Sequence, residues 1–355
     1  MDRRAKILEI MELFLVNEER SKDKVAPFKV RAYKNAIQAV LDYNKPITSV
    51  EDVDALQGIG KKIRDKMYEI VETGDLEEAK ELKSFEMVRK ELLDIYGVGP
   101  AKADDLIENY GVRSLQDLIA LVYNDRSILT SAQLLGLIYY DDLKQRIPRE
   151  EIKHYEDILN EYFRADISAP TPVPGFDITI VGSYRRGLPT SGDIDVLVTW
   201  RNMDEKTAKE KFSDVIDRLV EDDFMVGVLA KGKTKLLSIV KAQKGSKNAP
   251  KRSGSDDSNN SNSNYIARRM DILLTSPEET PCALLYFTGS KEFNVSFRNY
   301  ALMKGYTLNE YRLKKVKESL PIPEVPEFKT ERDVFDFLGI KYQSPEERVG
   351  PIEVY

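Results

Sequence analysis

The sequence predicts an α+β protein with several domains, in which helices come first and a mixed α/β part follows. Through residues 1–80, apolar residues recur at helical spacing, as in the stretch "ILEIMELF". Residues 84–165 continue this pattern. After a proline-rich connector at 168–176, β-branched runs predict strands. This order indicates a helical amino-terminal part joined to a sheet-containing part.

The predicted elements of the second part are a mixture of strands and helices. Residues 276–355 are expected to mix one helix, Lys291–Met303, with short strands and turns. The Ser/Asn/Lys-rich segment 244–264 predicts a flexible loop joining two strands. The earlier strands are predicted at Ile178–Val181, Asp193–Thr199, Lys235–Val240 and Met270–Leu274, with a helix over Asp204–Val220.

Composition excludes several classes of protein. With 355 residues, 41% hydrophobic and 32% charged, the chain is expected to be a globular protein of more than one domain. There is no apolar run long enough for a transmembrane helix and no signal peptide in "MDRRAKILEIMELF". The single Cys282 predicts an intracellular, reducing location. Because His154 is the only histidine, any metal is expected to be a hard cation bound by oxygen.

The charge distribution points to nucleic acid although the net charge is −6. Residues 20–34 contain six basic residues and one acidic residue, and residues 224–255 contain eight basic residues and none that is acidic. Such patches can bind phosphate on an acidic protein, whereas the alternative is that they are merely solvated faces.

Two segments share the pattern apolar-x-Gly-apolar-Gly: "LQGIGKKIRDKM" (56–67) and "IYGVGPAKADDL" (95–106). Two glycines separated by one residue allow a tight turn and bring backbone N–H groups close to a phosphate. In a helical context, the repeated pattern predicts two helix-hairpin-helix motifs that bind the DNA backbone.

The stretch "GSYRRGLPTSGDIDVLV" (182–198) places Asp193 and Asp195 among strand-forming apolar residues. Residues two apart on a strand face the same side, so the carboxylates would repel each other unless a cation lies between them. Gly182, Ser183 and Arg186 suit a triphosphate, and Asp271 in "RRMDILL" supplies a third carboxylate. The pattern predicts two Mg²⁺ ions for phosphoryl transfer, and the alternative is a turn cap after Gly192.

Five motifs, "GSYRRG", "SGDIDVL", "RRMDI", "YFTGS" and "NEY", occur in this order, together with "RIPREE" and both hairpins. In this respect the chain resembles the family X DNA polymerases of the DNA polymerase beta type, from about residue 5 to 343. The resemblance implies a deoxyribose-phosphate lyase domain (1–83), a helical DNA-binding subdomain (84–146), a nucleotidyltransferase-type catalytic palm (147–275) and a nascent-base-pair subdomain (276–355).

The resemblance also implies roles for individual residues in nucleotide addition. Asp193, Asp195 and Asp271 would bind two Mg²⁺ ions, which Mn²⁺ can replace, and Asp271 would take or orient the proton of the primer 3′-hydroxyl. The expected nucleotide-binding residues are Arg146, Ser183, Arg186, Gly192, Tyr286, Phe287, Gly289 and Asn294. The expected DNA-binding residues of this part are Lys231, Thr234, Lys235, Arg269 and Arg298.

In the amino-terminal domain, the resemblance implies that Lys66 forms a Schiff base with a 5′-deoxyribose phosphate. A lysine attacks an aldehyde only when unprotonated, so neighbouring cations or burial are expected to lower its pKa. The alternative is a basic helix that only touches DNA. The 5′-phosphate pocket is expected to consist of Lys29, Tyr33 and Lys62, the hairpin glycines are Gly58, Gly60, Gly97 and Gly99, and the carbonyls of Leu56, Ile59, Ile95 and Val98 are expected to bind Na⁺ or K⁺.

Four positions depart from the polymerase beta pattern. Phe28 replaces a histidine that stacks on the template, and Glu78 replaces a lysine of the phosphate pocket. Leu273 replaces an arginine after the third aspartate, and Lys291 replaces an acidic residue near the incoming base. These changes put 5′-phosphate affinity, active-site gating and nucleotide selectivity in doubt.

The sequence therefore predicts a monomeric, gap-filling repair polymerase with lyase activity. Its expected partners are gapped or nicked DNA with a 5′-phosphate and deoxynucleoside triphosphates, not a membrane. It would act in the nucleus or wherever DNA is repaired, and in the cytoplasm or a virion if its source is viral. The alternatives are a template-independent or RNA-directed nucleotidyltransferase and a catalytically silent DNA-end scaffold.

Overall fold

The computed structural model describes residues 1–163, 175–241 and 265–354 and divides into two compact units, Met1–Ile128 and Leu129–Tyr355. Among the described residues, no helix is long and apolar enough to cross a bilayer. The predicted loop at 244–264 and most of the predicted connector at 168–176 lie outside the described residues.

The first unit is helical, as predicted. Its core consists of the apolar faces of the first four helices, with Ile10, Met11, Val40 and Ile70 completely buried. The helices are α1 (Arg4–Arg20), α2 (Ala26–Asp42), α3 (Val50–Asp54), α4 (Lys61–Thr73), α5 (Glu77–Leu93), α6 (Pro100–Glu108) and α7 (Leu115–Asn124).

The second unit contains a mixed sheet and surrounding helices. Its helices are α8 (Ser131–Ile138), α9 (Tyr140–Leu143), α10 (Arg149–Phe163), α11 (Gly182–Arg185), α12 (Glu205–Glu221), α13 (Thr280–Thr288), α14 (Lys291–Met303) and α15 (Glu331–Leu338). Its strands are β1 (Ile147–Pro148), β2 (Gly175–Ile180), β3 (Thr190–Ser191), β4 (Ile194–Arg201), β5 (Met225–Lys231), β6 (Lys235–Lys241), β7 (Ala267–Thr275), β8 (Tyr306–Leu308) and β9 (Leu313–Lys315).

Five strands form the main sheet in the order β2-β4-β7-β6-β5, in which β4 and β7 are parallel and the other neighbours antiparallel. The two parallel strands, β4 and β7, are buried on both faces, which explains their nearly continuous apolar runs. Ile194, Val196 and Val198 belong to the cluster that contains α10 and α12 side chains, whereas Leu197 and Leu273 pack with Ala283 of α13. The fold is therefore α+β, as the sequence predicts.

The carboxy-terminal residues form their own small core around α14, α15 and the β8–β9 hairpin. Helix α14 spans Lys291–Met303, the range predicted from the sequence. The strand predicted at Asp193–Thr199 is observed as Ile194–Arg201, so Asp193 lies just before its first residue.

Candidate active site and DNA-binding surfaces

The parallel pairing of β4 and β7 brings the three aspartates together. Asp195 of β4 lies directly opposite Asp271 of β7 in the strand register. Asp193 lies just before β4, and one carboxylate oxygen from each of the three lies within 4.8 Å of the others. Alternation along the two strands places Asp195 and Asp271 on the face that Leu197 and Leu273 share, at its open end.

Electrostatics in this cluster favour a cation. Burial, and next the charge of Asp271, raise the pKa of Asp195 to about 7, against the smaller opposing effects of Arg186 and Lys235. Burial also raises the pKa of Asp271. The Oδ1 atom of Asp271 is buried and has no hydrogen-bond partner among the described residues. Carboxylate oxygens arranged in this way are the ligands that Mg²⁺ prefers, so the donor set fits a divalent metal.

Arg269 is the cation that contacts the cluster in the structure. Its guanidinium forms an ion pair with Asp193, and its Nε lies 3.8 Å from Oδ1 of Asp271. The sequence placed Arg269 on DNA but did not predict this contact. The alternation of β7 explains it, because residues 269 and 271 lie on the same face of the strand.

The turn after β2 is built around a glycine that approaches Asp195. Gly182 has a φ of 58°, and a Cβ atom there would lie 2.0 Å from Oδ2 of Asp195. The N–H of Val181 donates to the carbonyl of Asp195, which fixes the turn against β4. Ser183 Oγ donates to Ser191 Oγ at 2.7 Å.

Two arginines predicted to hold the triphosphate lie near this turn. Arg186 donates to the carbonyl of Thr288, and a Cβ atom on Gly289 would lie 3.2 Å from its Nη1. Arg146 donates to the carbonyl of Thr190 at 2.6 Å and lies beside Gly192. The β1–β3 pairing brings residues 146 and 192 together. The sequence did not predict these strands, because two residues are too short for a periodicity.

The "YFTGS" segment ends α13 and leads into α14. Gly289 has a φ of 65°, and its peptide bond to Ser290 is cis. Asn294 of α14 donates through Nδ2 to the carbonyl of Tyr286 at 2.6 Å, which joins the two helices. The Tyr286 and Phe287 rings are 5.5 Å apart, and Arg298 is exposed on α14.

The "KGKTK" segment is the turn between β5 and β6. Lys235 lies near the aspartates, because its positive charge partly offsets the burial that raises the pKa of Asp195 and Asp271. Its Nζ lies 5.7 Å from the centroid of the Phe287 ring. Thr234 accepts a hydrogen bond from the N–H of Leu274 through its carbonyl. Lys231 pairs with Asp217 of α12 at 2.9 Å.

A largely buried network that the sequence did not predict joins the turn after β2 to α15. Arg185 of α11 donates to Glu331 of α15 through both of its terminal nitrogens, at 2.9 and 2.6 Å. Arg348, which is completely buried, donates to the same carboxylate at 2.7 Å. Burial raises the pKa of Glu331, but hydrogen bonds from Arg185 and Arg348 and their charges outweigh it, so that its pKa is lowered.

Both predicted hairpins are present in the first unit. Gly58 and Gly97 have φ values of 75° and 79°, which only glycine adopts readily. Gly60 and Gly99 are the residues before α4 and α6, and a Cβ atom on either would meet nothing within 4 Å. Two of the carbonyls predicted to bind a monovalent cation already accept hydrogen bonds, that of Leu56 from Arg64 and that of Ile95 from the Val98 N–H.

The residues predicted for the lyase site line one cavity of about 1380 Å³ in the first unit. Lys29, Tyr33, Lys62 and Lys66 all lie on its wall. Tyr33 stacks on Phe14 with ring centroids 5.6 Å apart. Burial, and then the charges of Glu78 and Glu18, raise the pKa of Tyr33 to about 12, so its hydroxyl stays neutral.

The surroundings of Lys66 differ from the expected ones. Its ammonium forms an ion pair with Glu78 and lies 4.3 Å from the centroid of the Phe14 ring. The nearest polar contact of this amine is therefore a carboxylate, and not one of the cations that the sequence led us to expect. The sequence had marked Glu78 only as a departure in the phosphate pocket, and its pairing with Lys66 needs the α4–α5 arrangement.

Comparison with known protein families covers nearly all of the chain. Residues 3–76 match the helix-hairpin-helix domain, and residues 90–144 match the fingers domain of DNA polymerase lambda. Residues 146–277 match the DNA polymerase beta palm, and residues 283–349 match the DNA polymerase beta thumb.

Individual relatives give the same result. The chain is 32% identical over 338 residues to DNA polymerase lambda of Rattus norvegicus, covering 90% of this chain and 52% of the rat protein. It is 32% identical over 329 residues to DNA polymerase lambda of Arabidopsis thaliana, covering 89% and 57%. It is 26% identical over 336 residues to DNA nucleotidylexotransferase of Xenopus laevis, covering 89% and 63%. The chain thus spans between about half and two thirds of each relative.

Proposed function

This chain belongs to the family X DNA polymerases, and on that basis we propose that it is a template-directed polymerase that fills short gaps in DNA. The observation that carries the proposal is the cluster of Asp193, Asp195 and Asp271 on two parallel strands, with oxygens within 4.8 Å of one another. It lies beside a glycine turn that suits a triphosphate.

The three aspartates would hold two Mg²⁺ ions, or Mn²⁺ in their place. When bound, these ions would lower the pKa of the primer 3′-hydroxyl and neutralise the triphosphate and the departing pyrophosphate. The free Oδ1 of Asp271 would accept the proton of that hydroxyl, since it has no hydrogen-bond partner among the described residues. The primer oxygen then bonds to the α-phosphorus, and the bond from that phosphorus to pyrophosphate breaks.

The neighbouring residues would position the nucleotide. Ser183, Arg186 and Arg146 would bind the triphosphate, and the bare backbone of Gly192 would approach it. Tyr286, Phe287 and Gly289 would lie beside the sugar. Asn294 and Arg298 would contact the nascent base pair, and Arg269, Lys231, Thr234 and Lys235 would contact the primer and template.

We propose a second activity in the first unit, removal of a 5′-deoxyribose phosphate by Lys66. The cavity that collects Lys29, Tyr33, Lys62 and Lys66 supports this proposal. The two glycine hairpins would bind the backbone of gapped or nicked DNA, and the protein would act as a monomer. A Na⁺ or K⁺ ion would need the carbonyls of Ile59 and Val98 together with the two already hydrogen-bonded ones.

The test of the polymerase proposal is nucleotide addition across a one-nucleotide gap with a downstream 5′-phosphate. The parent chain should extend the primer by one nucleotide in Mg²⁺. Asp271→Asn, Asp193→Asn and Asp195→Asn should each lose this addition while binding the DNA as tightly as the parent. Turnover at the parent rate by any one of these variants would contradict the metal assignment.

The alternative supported by a specific observation is template-independent addition, because one relative is a nucleotidylexotransferase. It would use the same aspartates. Tailing of a single strand, without any template, would favour it.

A further inference from the structure

The amine of Lys66 has one carboxylate partner, and that partner belongs to a different helix. Lys66 lies on α4, and its Nζ donates to Oε2 of Glu78 in the first turn of α5. The Lys66 side chain is 14% exposed, whereas Glu78 is 64% exposed and opens to the cavity. The carboxylate therefore reaches from solvent to the buried amine.

The other acidic groups on the cavity wall make different contacts. Glu18 pairs with Lys29 at 3.1 Å, and Glu69 accepts a hydrogen bond from the N–H of Glu77 at 2.8 Å. Among the described residues, Glu78 is the only carboxylate that accepts a hydrogen bond from Lys66. Lys62, one helical turn away and exposed, has no carboxylate within ion-pair distance in the described part of the chain. The two lysines thus differ in access to a proton acceptor.

A Schiff base needs such an acceptor. An ammonium group has no lone pair, so one proton must leave Lys66 before its nitrogen can attack C1′ of the sugar aldehyde. The Phe14 ring, 4.3 Å from Nζ, can stabilise a cation but cannot accept the proton. Burial raises the pKa of Tyr33 to about 12, so its hydroxyl is already protonated at neutral pH and is not available as the acceptor.

We propose that Glu78 is a catalytic residue of the lyase reaction, which carries the proton that Lys66 must lose. The inference rests on the proposed lyase function. The carboxylate takes a proton from the ammonium, and the amine adds to C1′ to give a carbinolamine. The carboxylic acid then returns the proton to the carbinolamine hydroxyl, which leaves as water. The products are an iminium on Lys66 and a regenerated Glu78 carboxylate, so protons and charge balance.

A catalytic role would explain why the acidic Glu78 lies in a cavity proposed to bind a phosphate. Its carboxylate repels the 5′-phosphate, so Glu78 would weaken phosphate binding if it had no other role. A catalytic role also explains why Lys66, rather than Lys62, would be the nucleophile.

The test is the single-turnover rate of borohydride trapping, with the 355-residue chain in excess over gapped DNA that carries a 5′-deoxyribose phosphate. Glu78→Gln should trap at least about tenfold more slowly at saturating protein, as expected when a general acid–base group is removed. Glu81→Gln is the matched control. Glu81 lies on the same helix and the same cavity wall with no partner among the described residues, so its loss should change the rate less than about twofold.

A slower maximal rate of trapping distinguishes a catalytic role of Glu78 from an effect of its charge on phosphate binding. Removing a negative charge should tighten binding of the 5′-phosphate in both variants, so a lower maximal rate in Glu78→Gln alone cannot come from weaker binding. Glu78→Asp should recover part of the rate, and formate should partly rescue Glu78→Ala but not Lys66→Ala.

Trapping by Glu78→Gln as fast as the parent, or faster, would overturn the proposal, because Glu78 would then be only a counterion. Failure of formate to rescue Glu78→Ala, with slow trapping by that variant, would also overturn it. If the parent itself never traps, or if Lys66→Ala traps equally well, the proposed lyase function fails instead.

Discussion

Gly182 and Gly187 both lie in the segment between β2 and β3 with positive φ values, 58° and 78°. They differ in what surrounds them. A Cβ atom on Gly182 would lie 2.0 Å from the Asp195 carboxylate, whereas one on Gly187 would lie 3.4 Å from a flexible Glu346 carbon. Substitution at Gly187 is therefore restricted by its backbone conformation alone. Substitution at Gly182 is restricted both by its backbone conformation and by its close approach to Asp195.

We expect Gly182→Ala to lose nearly all nucleotide addition, because the new methyl group must displace Asp195. Gly187→Ala serves as the control, since it carries the same left-handed strain of about 1–2 kcal/mol without that contact. Addition across a one-nucleotide gap and thermal unfolding should be measured for both. Equal activities of the two alanine variants would show that the approach of Gly182 to Asp195 is not required.

Glu331 accepts hydrogen bonds from both Arg185 and Arg348. Replacing it with Gln removes the charge shared by the buried Arg348 and the partly buried Arg185, which should destabilise the second unit by roughly 3–5 kcal/mol. Because the pKa of Glu331 is lowered in the folded protein, its contribution to stability depends on pH. That contribution is present above the pKa of the unfolded state, about 4.3, and is lost as the pH falls through the lower pKa of the folded state.

Denaturant unfolding from pH 6 to pH 3 tests that consequence. The parent should lose stability on acidification, and Glu331→Gln should show a shallower slope over the same range. Parallel slopes for the two proteins would contradict the assignment.

The sequence predicted the aspartates and Lys66 because short motifs contain them. It could not predict contacts between distant residues. Glu78 on Lys66, Arg269 on Asp193 and Glu331 between two arginines each depend on how separate elements pack. Nothing local marks Glu331, whereas alternation along β7 could have placed Arg269 beside Asp271.

At the scale of elements, the two hairpins combine a conformational and a contact requirement at different glycines. Gly58 has a φ of 75°, whereas Gly60, at −70°, has an ordinary backbone with open space around it. The first glycine is needed for the turn. Gly60 has room for a side chain in the structure. Its lack of one therefore matters only for a ligand, such as the DNA backbone, that would approach this turn.

We expect Gly58→Ala to destabilise the first unit by about 1–2 kcal/mol through its left-handed backbone. Gly60→Ala should leave the free energy of unfolding nearly unchanged but weaken DNA binding, because its methyl group would lie between the N–H groups and a phosphate. Thermal unfolding and DNA titration of both variants separate the two effects. Normal DNA affinity in Gly60→Ala would show that this turn does not approach the backbone.

Elements with a clear periodicity were predicted well. The strands of the main sheet and α12 and α14 follow β-branched runs or a helical repeat. The paired strands β1 and β3 have two residues each, so they carry no pattern, yet they bring Arg146 beside Gly192. Tertiary pairing alone reveals them.

Across the whole molecule, the proposed function requires a chain with a net charge of −6 to bind a polyanion. The basic residues proposed for this role are concentrated near residues 20–34 and in the "KGKTK" turn. Some of them are already paired with acids, as Lys29 is with Glu18 and Lys231 with Asp217. DNA would then compete with these ion pairs.

We expect affinity for gapped DNA to fall steeply with salt, because lysines and arginines on phosphate release counterions from the duplex. Titrations from about 50 to 200 mM salt should show a linear fall of the logarithm of the binding constant. A flat response would mean that the basic segments do not contact phosphate.

Direction of nucleotide addition by the template is tested with four one-nucleotide gaps that differ only in the templating base. Each gap is offered the four deoxynucleoside triphosphates one at a time in Mg²⁺, and single-turnover rates are measured. The complementary nucleotide should be added far faster than the other three at every gap. Addition of the same nucleotide whatever the template base, or equal extension of an unpaired single strand, would contradict it.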